Sequence, residues 1–294
     1  MENEIELKIM LFPEHISIFL DWIHSFDFLE KETKPLKNTY YDSAERFFAA
    51  HKMGLRVRSF YIMNENKYEL TLKTEGDIIG GLHIRPEYNV ELTSKHPDLK
   101  KLVKTYSFPN TPTFNHIIHL QNKLQPVFTT DFTRQSWLIA FQDSNIEIAL
   151  DQGKVTSSEN QEEICEIEFE LKSGDVQDLI DLLSKMPVRQ GMWFSSLSKA
   201  KRGYLLMDSQ AIAENIEKLT ARADNSTSLS ILEIYQLSQN IADMLRMVKY
   251  NDHLAQMFFK LNPSLKFTPQ ALFHYLFSEE YFLKNIHFIK QQLH

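Results

Sequence analysis

The sequence has 294 residues, 43% hydrophobic and 24% charged, with a formal net charge of −7. This is ordinary globular composition with material for one large core or two smaller ones, and the negative balance excludes recognition of nucleic acid or an anionic membrane through the overall field. The single cysteine, Cys165, cannot form an internal disulfide, Met1 to Glu4 has neither the basic nor the apolar region of a signal peptide, and no apolar run approaches membrane-spanning length; a cytoplasmic protein with no nucleic-acid or membrane partner is expected.

In chain order, Glu4, Glu6 and Lys8 alternate with Ile5, Leu7 and Ile9, so an extended strand places two carboxylates and an ammonium on one face. Pro13 to Phe28 carries Ile16, Phe19, Leu20, Ile23 and Phe26 at helical spacing, with Pro13 suited to a first turn. Lys37 to Asp42 predicts a strand, and Ser43 to Met53 a short helical turn closed by Gly54. His15, His24 and His51 are isolated from one another and read as structural or surface residues.

The alternation of the first strand then returns. Arg56 and Arg58 share a face in Leu55 to Arg58. After an Asn-Glu-Asn turn at 64–66, Glu69, Thr71 and Lys73 do the same in Tyr68 to Lys73. Beyond Gly80-Gly81, His83, Arg85, Glu87, Asn89 and Glu91 form a long polar face of mixed sign. Residues 97–125 predict a helix or two outside the sheet. Strands resume at Pro126 to Thr130 and Phe132 to Phe141, which contains Arg134. Ile146 to Gly153 puts Glu147 and Asp151 on one face before a glycine turn, and Cys165 to Leu171 aligns Glu166, Glu168 and Glu170, with Cys165 on the opposite face as a small buried hydrophobe.

Taken singly, each of these strands reads as one with a solvated charged face. Together they alternate in sign, and like charges at two-residue spacing, ~7 Å apart, repel unless cations screen them. Hard divalent cations such as Mg2+ take carboxylate and phosphate oxygens, while Lys8, Arg56, Arg58, Lys73 and Arg134 supply donors suited to phosphate. If the apolar faces turn outward beneath helices at 13–28 and 174–185, the sheet closes around a wet, charged lumen.

Glu-x-Glu-x-Lys at 4–8, Gly-Leu-Arg-Val-Arg at 54–58, Thr-Leu-Lys at 71–73, Arg-Pro-Glu-Tyr-Asn-Val at 85–90, Thr-Asp-Phe-Thr-Arg at 130–134, Ile-Ala-Leu-Asp-Gln-Gly at 148–153, Glu-x-Glu-x-Glu at 166–170 and Ser-Leu-Ser-Lys-Ala-Lys-Arg-Gly-Tyr at 196–204 together resemble the CYTH proteins, or triphosphate tunnel metalloenzymes, and most closely their bacterial inorganic triphosphatases. The resemblance spans about Met1 to Leu206. It implies an α+β fold: a closed eight-stranded antiparallel tunnel with a charged lumen and flanking helices, that hydrolyses inorganic triphosphate to diphosphate and phosphate with Mg2+ or Mn2+. Lys8, Arg56, Arg58, Lys73, Arg134 and Lys199 would hold the triphosphate. Glu4 and Glu6 would hold a metal, and Glu168 and Glu170, with Asp151 and Glu166, would face a second metal or the attacking water. Lys8, Arg56, Arg58, Glu168 and Glu170 would be the catalytic set. Relatives acting on thiamine triphosphate or cyclising ATP, and a non-catalytic polyphosphate or nucleotide sensor, are the alternatives. From the residues alone Lys199, Lys201 and Arg202 read as solvated helix charges, and Glu87, Glu91 and Glu147 as groups that orient the basic side chains.

The chain changes character near Asp208, giving an expected division at 1–206 and 207–294. Helical patterns run through 210–222, 228–249, 252–261 and 269–291, the last begun by Thr268-Pro269. This smaller all-helical region resembles a CHAD module by position only, since it is nearly neutral and has no repeated His and Arg pattern. Phe258, Phe259, Phe273, Tyr275, Phe277, Tyr281 and Phe282 point to packing on the tunnel or on a second copy in a homodimer. With every motif residue before it, the region is expected to be dispensable for chemistry.

Overall fold

The computed structural model describes residues 2–62, 65–158 and 160–293. The first strand, β1 (Glu2–Leu11), leads through a 3-10 turn into α1 (Ile16–Ile23). β2 (Glu30–Asp42) and β3 (Gly54–Ile62) flank the single turn α2 (Phe47–Ala50), and β4 (Glu65–Lys73), β5 (Asp77–Ile79) and β6 (Leu82–Leu92) follow. α3 (Leu99–Thr105) and α4 (Pro112–Ile117) precede the long strands β7 (Gln125–Phe141), β8 (Ser144–Ser157) and β9 (Asn160–Ser173). Then come α5 (Val176–Leu183), β10 (Met192–Phe194), α6 (Lys199–Leu206), α7 (Ser209–Asp224), α8 (Ile231–Met247), α9 (Asp252–Leu261), α10 (Pro269–Leu276) and α11 (Glu279–Gln292).

Antiparallel pairing runs β1–β9–β8–β7–β2–β3–β4–β6, and β6 returns to β1, which closes an eight-stranded barrel. Closure depends on β1 being shared along its length: residues 2–7 pair with β6, 6–10 with β9 and 9–11 with β10. The inverted alternation of the charged strands explains the rest. Leu7, Ile9, Trp137, Ile148, Ile167 and Phe169 point out of the barrel and are buried beneath Phe19 and Ile23 of α1 and Leu179, Ile180 and Leu183 of α5. On the other side, α2 and α3 and the segment around α4 cover Leu55, Val57, Leu70, Leu72, Tyr88 and Val90.

One sector of the interior is apolar. Leu36, Tyr40, Phe128, Phe132, Val155 and Ile164 share the inward faces of Asn38, Arg134, Asp151 and Glu166, and they pack around Ala200, Tyr204 and Leu206 of α6. So α6 enters the barrel, which its sequence, with three cations in the first turn, does not advertise. The later helices build a core of their own from residues such as Leu237, Ile241, Leu245, Phe258 and Leu272. They are also tied to the barrel, because Phe282, Ile286 and Ile289 of α11 join the core under α1 and α5. Among the described residues no helix is long and apolar enough to cross a membrane.

Several expected boundaries move. The helix over 13–28 ends at Ile23, where Ser25 Oγ donates to Trp22 O and the chain turns so that Phe26 packs edge-on against Trp22. In 43–53 only α2 is helical: the Asp42 carboxylate accepts from the amides of Ser43, Phe48 and Ala49 at 2.8, 2.9 and 3.0 Å and pins a single turn. The left-handed residue after it is Lys52, with φ 54°, while Gly54 already begins β3. Of the Asn-Glu-Asn turn, Asn64 lies outside the described residues, and Glu65 and Asn66 belong to β4. The two strands expected at 126–141 are one, and 269–291 is broken where Ser278 caps α11 by accepting from Tyr281 N.

Gly153 is likewise not at a turn. It lies mid-strand in β8 opposite Phe132 and Ile164, where an added Cβ would come 2.2 Å from Asp131 O. Gly153→Ala should therefore lower stability by roughly 2–3 kcal/mol through backbone displacement between β7 and β8, read by urea unfolding.

Candidate active site

The barrel encloses a cavity of about 1350 Å³. Its wall is built by period-two alternation, which turns Glu4, Glu6 and Lys8 of β1, Arg56 and Arg58 of β3, Lys73 of β4, Arg85 and Glu87 of β6, Arg134 of β7 and Glu168 and Glu170 of β9 toward one space. Cross-strand register sets β1 beside β9 with Glu6 opposite Glu170 and Lys8 opposite Glu168. Carboxylates facing one another across a ladder destabilise it unless cations intervene.

Those cations come from elsewhere in the wall. Arg85 donates through Nε to Glu4 at 3.2 Å and through Nη2 to Glu6 at 2.6 Å, and Lys73 bonds Glu4 and lies 3.2 Å from Glu87. Deeper in, carboxylate oxygens of Asp151, Glu166 and Glu168 lie within 4.8 Å of one another. The Lys199 ammonium sits among all three, at 2.6 Å from Asp151 and 3.0 Å from Glu168 and bonded also to Glu166. Lys8 donates to Glu168 and, at 3.2 Å, to Glu166; Arg134 grips Asp151 with two bonds of 2.7 Å and reaches Glu168; Arg202 donates to Glu166 at 2.5 Å. Asp151 and Glu166 are fully buried under these cations, whereas Glu168 still borders the cavity.

The charges hold one another ionised. Burial alone would raise the pKa of Glu168, but Lys199, Lys8 and Arg134 hold it well below the usual carboxylate range. Burial would likewise lower that of Lys8, and Glu166, Glu168 and Glu6 outweigh it and raise it. Glu170 stands apart, 2.7 Å from Lys172, and burial pushes its carboxyl up despite that partner. Arg58 is the uncompensated group. Its Nε donates to Asn38 Oδ1 at 2.9 Å, it has no ion pair among the described residues, and burial with Arg56 and Arg134 nearby brings its pKa down to about 10. Among the described residues the one ion-pair contact of Arg56 is with Glu87, at 3.8 Å, and its Nε has no hydrogen-bond partner.

All the site residues expected from the sequence thus converge on the barrel interior, although they sort into an acidic wall, a cation-filled acidic cluster and an arginine face. Lys199 and Arg202 are buried rather than solvated; only Lys201 of that trio is exposed. Glu87 and Glu147 border the cavity, and Glu91 is exposed outside it. Arg85 was not among the candidates, though it shares the face of Glu87, because its pairing with Glu4 spans 81 residues. Arg202 was signalled by its i,i+3 spacing from Lys199, which places both on one helix face.

This arrangement, a closed barrel with an acidic and basic lumen, is that of the CYTH family, to which the chain belongs: the CYTH domain model matches residues 2–204. An inorganic triphosphatase of Haemophilus influenzae is 45% identical over 220 residues, 74% of this chain and 59% of that protein, so the chain spans about three fifths of the length of this curated relative. Among solved structures, a putative adenylyl cyclase from Hippeastrum with a dominant triphosphatase activity aligns over 70% of this chain and 97% of its own at 17% identity and a TM-score of 0.47. A putative adenylate cyclase from Bacillus halodurans aligns over 69% and 98% at 19% identity and a TM-score of 0.44.

His83, buried on the lumen side of β6, is pushed down from 6.5 to about 4 by burial and by Arg85 and Lys8, which outweigh Glu6. It stays neutral in the fold, so its contribution is fully present above pH 6.5, where the unfolded chain is neutral too, and is lost as pH falls toward 4, because the unfolded chain takes up the proton first. The difference amounts to about 3 kcal/mol. His83→Asn should accordingly lose less stability than the parent between pH 7 and pH 4.5, measured by urea unfolding at both.

Proposed function

We propose that the chain hydrolyses inorganic triphosphate to diphosphate and phosphate with the help of Mg2+ or Mn2+. The observation that carries this reading is the arginine face. A buried guanidinium without a counter-ion is costly, and Arg58, backed by Arg56 and Arg134 in a cavity roomy enough for a linear triphosphate, has its missing anion supplied by phosphate oxygens. The identity to the Haemophilus influenzae inorganic triphosphatase supports the choice of substrate over a nucleotide or thiamine triphosphate.

The acidic wall fits a hard divalent cation by its donor set, which is carboxylate oxygen only, on adjacent strands. Glu4, Glu6, Glu168 and Glu170 border the cavity and would hold it, whereas Asp151 and Glu166 lie behind Lys199 and serve as counter-ions that keep Lys199, Lys8 and Arg134 in place. When bound, the metal supplies charge neutralisation on the phosphate oxygens. The chain's residues do the remainder. Arg56, Arg58, Arg134, Lys73, Lys8 and Lys199 align the phosphates and neutralise charge that develops on the leaving diphosphate, and Glu168 and Glu170 orient a water toward phosphorus. Positioning and electrostatics dominate phosphoryl transfer, so no covalent nucleophile is needed. Cys165, in the outer core, takes no part.

The test is turnover of tripolyphosphate, ATP and thiamine triphosphate by the purified chain with Mg2+ or Mn2+ and after chelation. Tripolyphosphate should be the preferred substrate and chelation should abolish the activity; tight binding without turnover would leave a sensor instead. Glu6→Gln should lower kcat at least 100-fold, equivalent to about 2.7 kcal/mol, and retention of parental rate and metal dependence would remove Glu6 from the metal site. Arg58→Ala should raise KM and lower kcat together, with Arg58→Lys restoring only part because the two-pronged geometry is lost.

A further inference from the structure

The helical tail reaches the active cavity. Asn215 and Leu219 of α7 and Gln236, Asn240 and Met244 of α8 border it, although the tail carries none of the motif residues. The strongest link is a single carboxylate. Asp243 of α8, 3% exposed, accepts from both the amide and the hydroxyl of Ser196, each at 2.7 Å, through Oδ2. Its other oxygen accepts from Arg246 Nη1 at 3.0 Å, and Arg246 is itself fixed by donating to Leu276 O at 2.7 Å and by lying over the rings of Trp193, Phe277 and Tyr281.

Ser196 lies three residues before Lys199. The segment 195–198 is held at both ends: Ser195 N donates to Lys8 O at 3.3 Å in the barrel, and Ser198 Oγ caps α6 by accepting from Lys201 N at 3.2 Å. Lys199 is the first residue of α6, so the place where the 195–198 segment is anchored sets how far the Lys199 ammonium reaches into the Asp151, Glu166 and Glu168 cluster. We infer that Asp243 is a positioning residue of the active site: through Ser196 the helical tail holds Lys199 at the depth at which it meets substrate. Asp243 touches neither the lumen carboxylates nor the space for phosphate, and both its oxygens are committed to this strut. A tail that packed for stability alone would have no need to bring a buried ion pair to the segment that launches α6, since buried ion pairs contribute little net stability compared with apolar packing.

The inference rests on the proposed triphosphatase reading, and the test separates the two. In the full chain with tripolyphosphate and Mg2+, Asp243→Ala should lower kcat/KM about 30-fold and Asp243→Asn, which keeps one acceptor oxygen, by less. The loss should disappear in a Lys199→Ala background, where there is no ammonium left to position. Ser196→Ala removes the hydroxyl and leaves the Asp243 and Arg246 pair whole; it should give a smaller loss, about 3-fold, with the same dependence on Lys199, and it decides the matter if Asp243→Ala does not fold. Losses that multiply with that of Lys199→Ala, or folded variants with parental kcat and KM, overturn the positioning role. An inactive parent chain overturns the triphosphatase reading alone, and the same double-variant comparison is then read on the Kd for tripolyphosphate.

Discussion

Everything in this structure follows from placing many charges of both signs inside a closed sheet. A carboxylate moved from water into such a space is costly unless a cation lies within hydrogen-bond reach, and the same holds for an ammonium. The solution here is alternation by strand. Acidic β1 and β9 stand side by side, and their repulsion is met by cations from β1 itself, β4, β6, β7 and α6. The interior charge forces the apolar faces outward, and those faces dictate where α1, α3 and α5 lie. The helices are thus the outer lining of an inverted barrel rather than independent elements.

Much of this can be read along the chain because period-two alternation is a local property. Glu4 to Lys8, Arg56 to Arg58 and Glu166 to Glu170 each state their own inward face. What alternation leaves open is partnership. Nothing near Arg85 says that its guanidinium bridges Glu4 and Glu6, since that depends on β6 returning to β1, and nothing near Lys199 says that α6 enters the barrel, since that depends on apolar residues spread over β2, β7, β8 and β9. The bounds of the short α2 are hidden for a related reason. Its length is set by the Asp42 carboxylate capturing three amides, and side-chain capping of that kind has no periodicity to detect.

The helical tail shows the same limit at larger scale. Its near-neutral charge sets it apart from a basic phosphate-binding module, and its aromatics predict packing; both are local statements. Yet α11 finishes the outer core of the barrel while α8 borders its cavity, so the later helices pack on the barrel as well as on a core of their own.

The sharing of β1 also has a consequence for how the chain assembles. This strand leaves the ribosome well before its neighbours, which begin at Leu82, Asn160 and Met192. At about 5–20 residues per second, the N-terminal strand waits roughly 10–30 s for its β9 partner, with one face strongly charged and the other apolar. Its two carboxylates and lysine then act as gatekeepers, discouraging pairing with other chains during the wait. Closure of the ring is a late, long-range event, which places this barrel among slow folders whose rate is governed by joining the two ends of the sheet rather than by forming any hairpin within it.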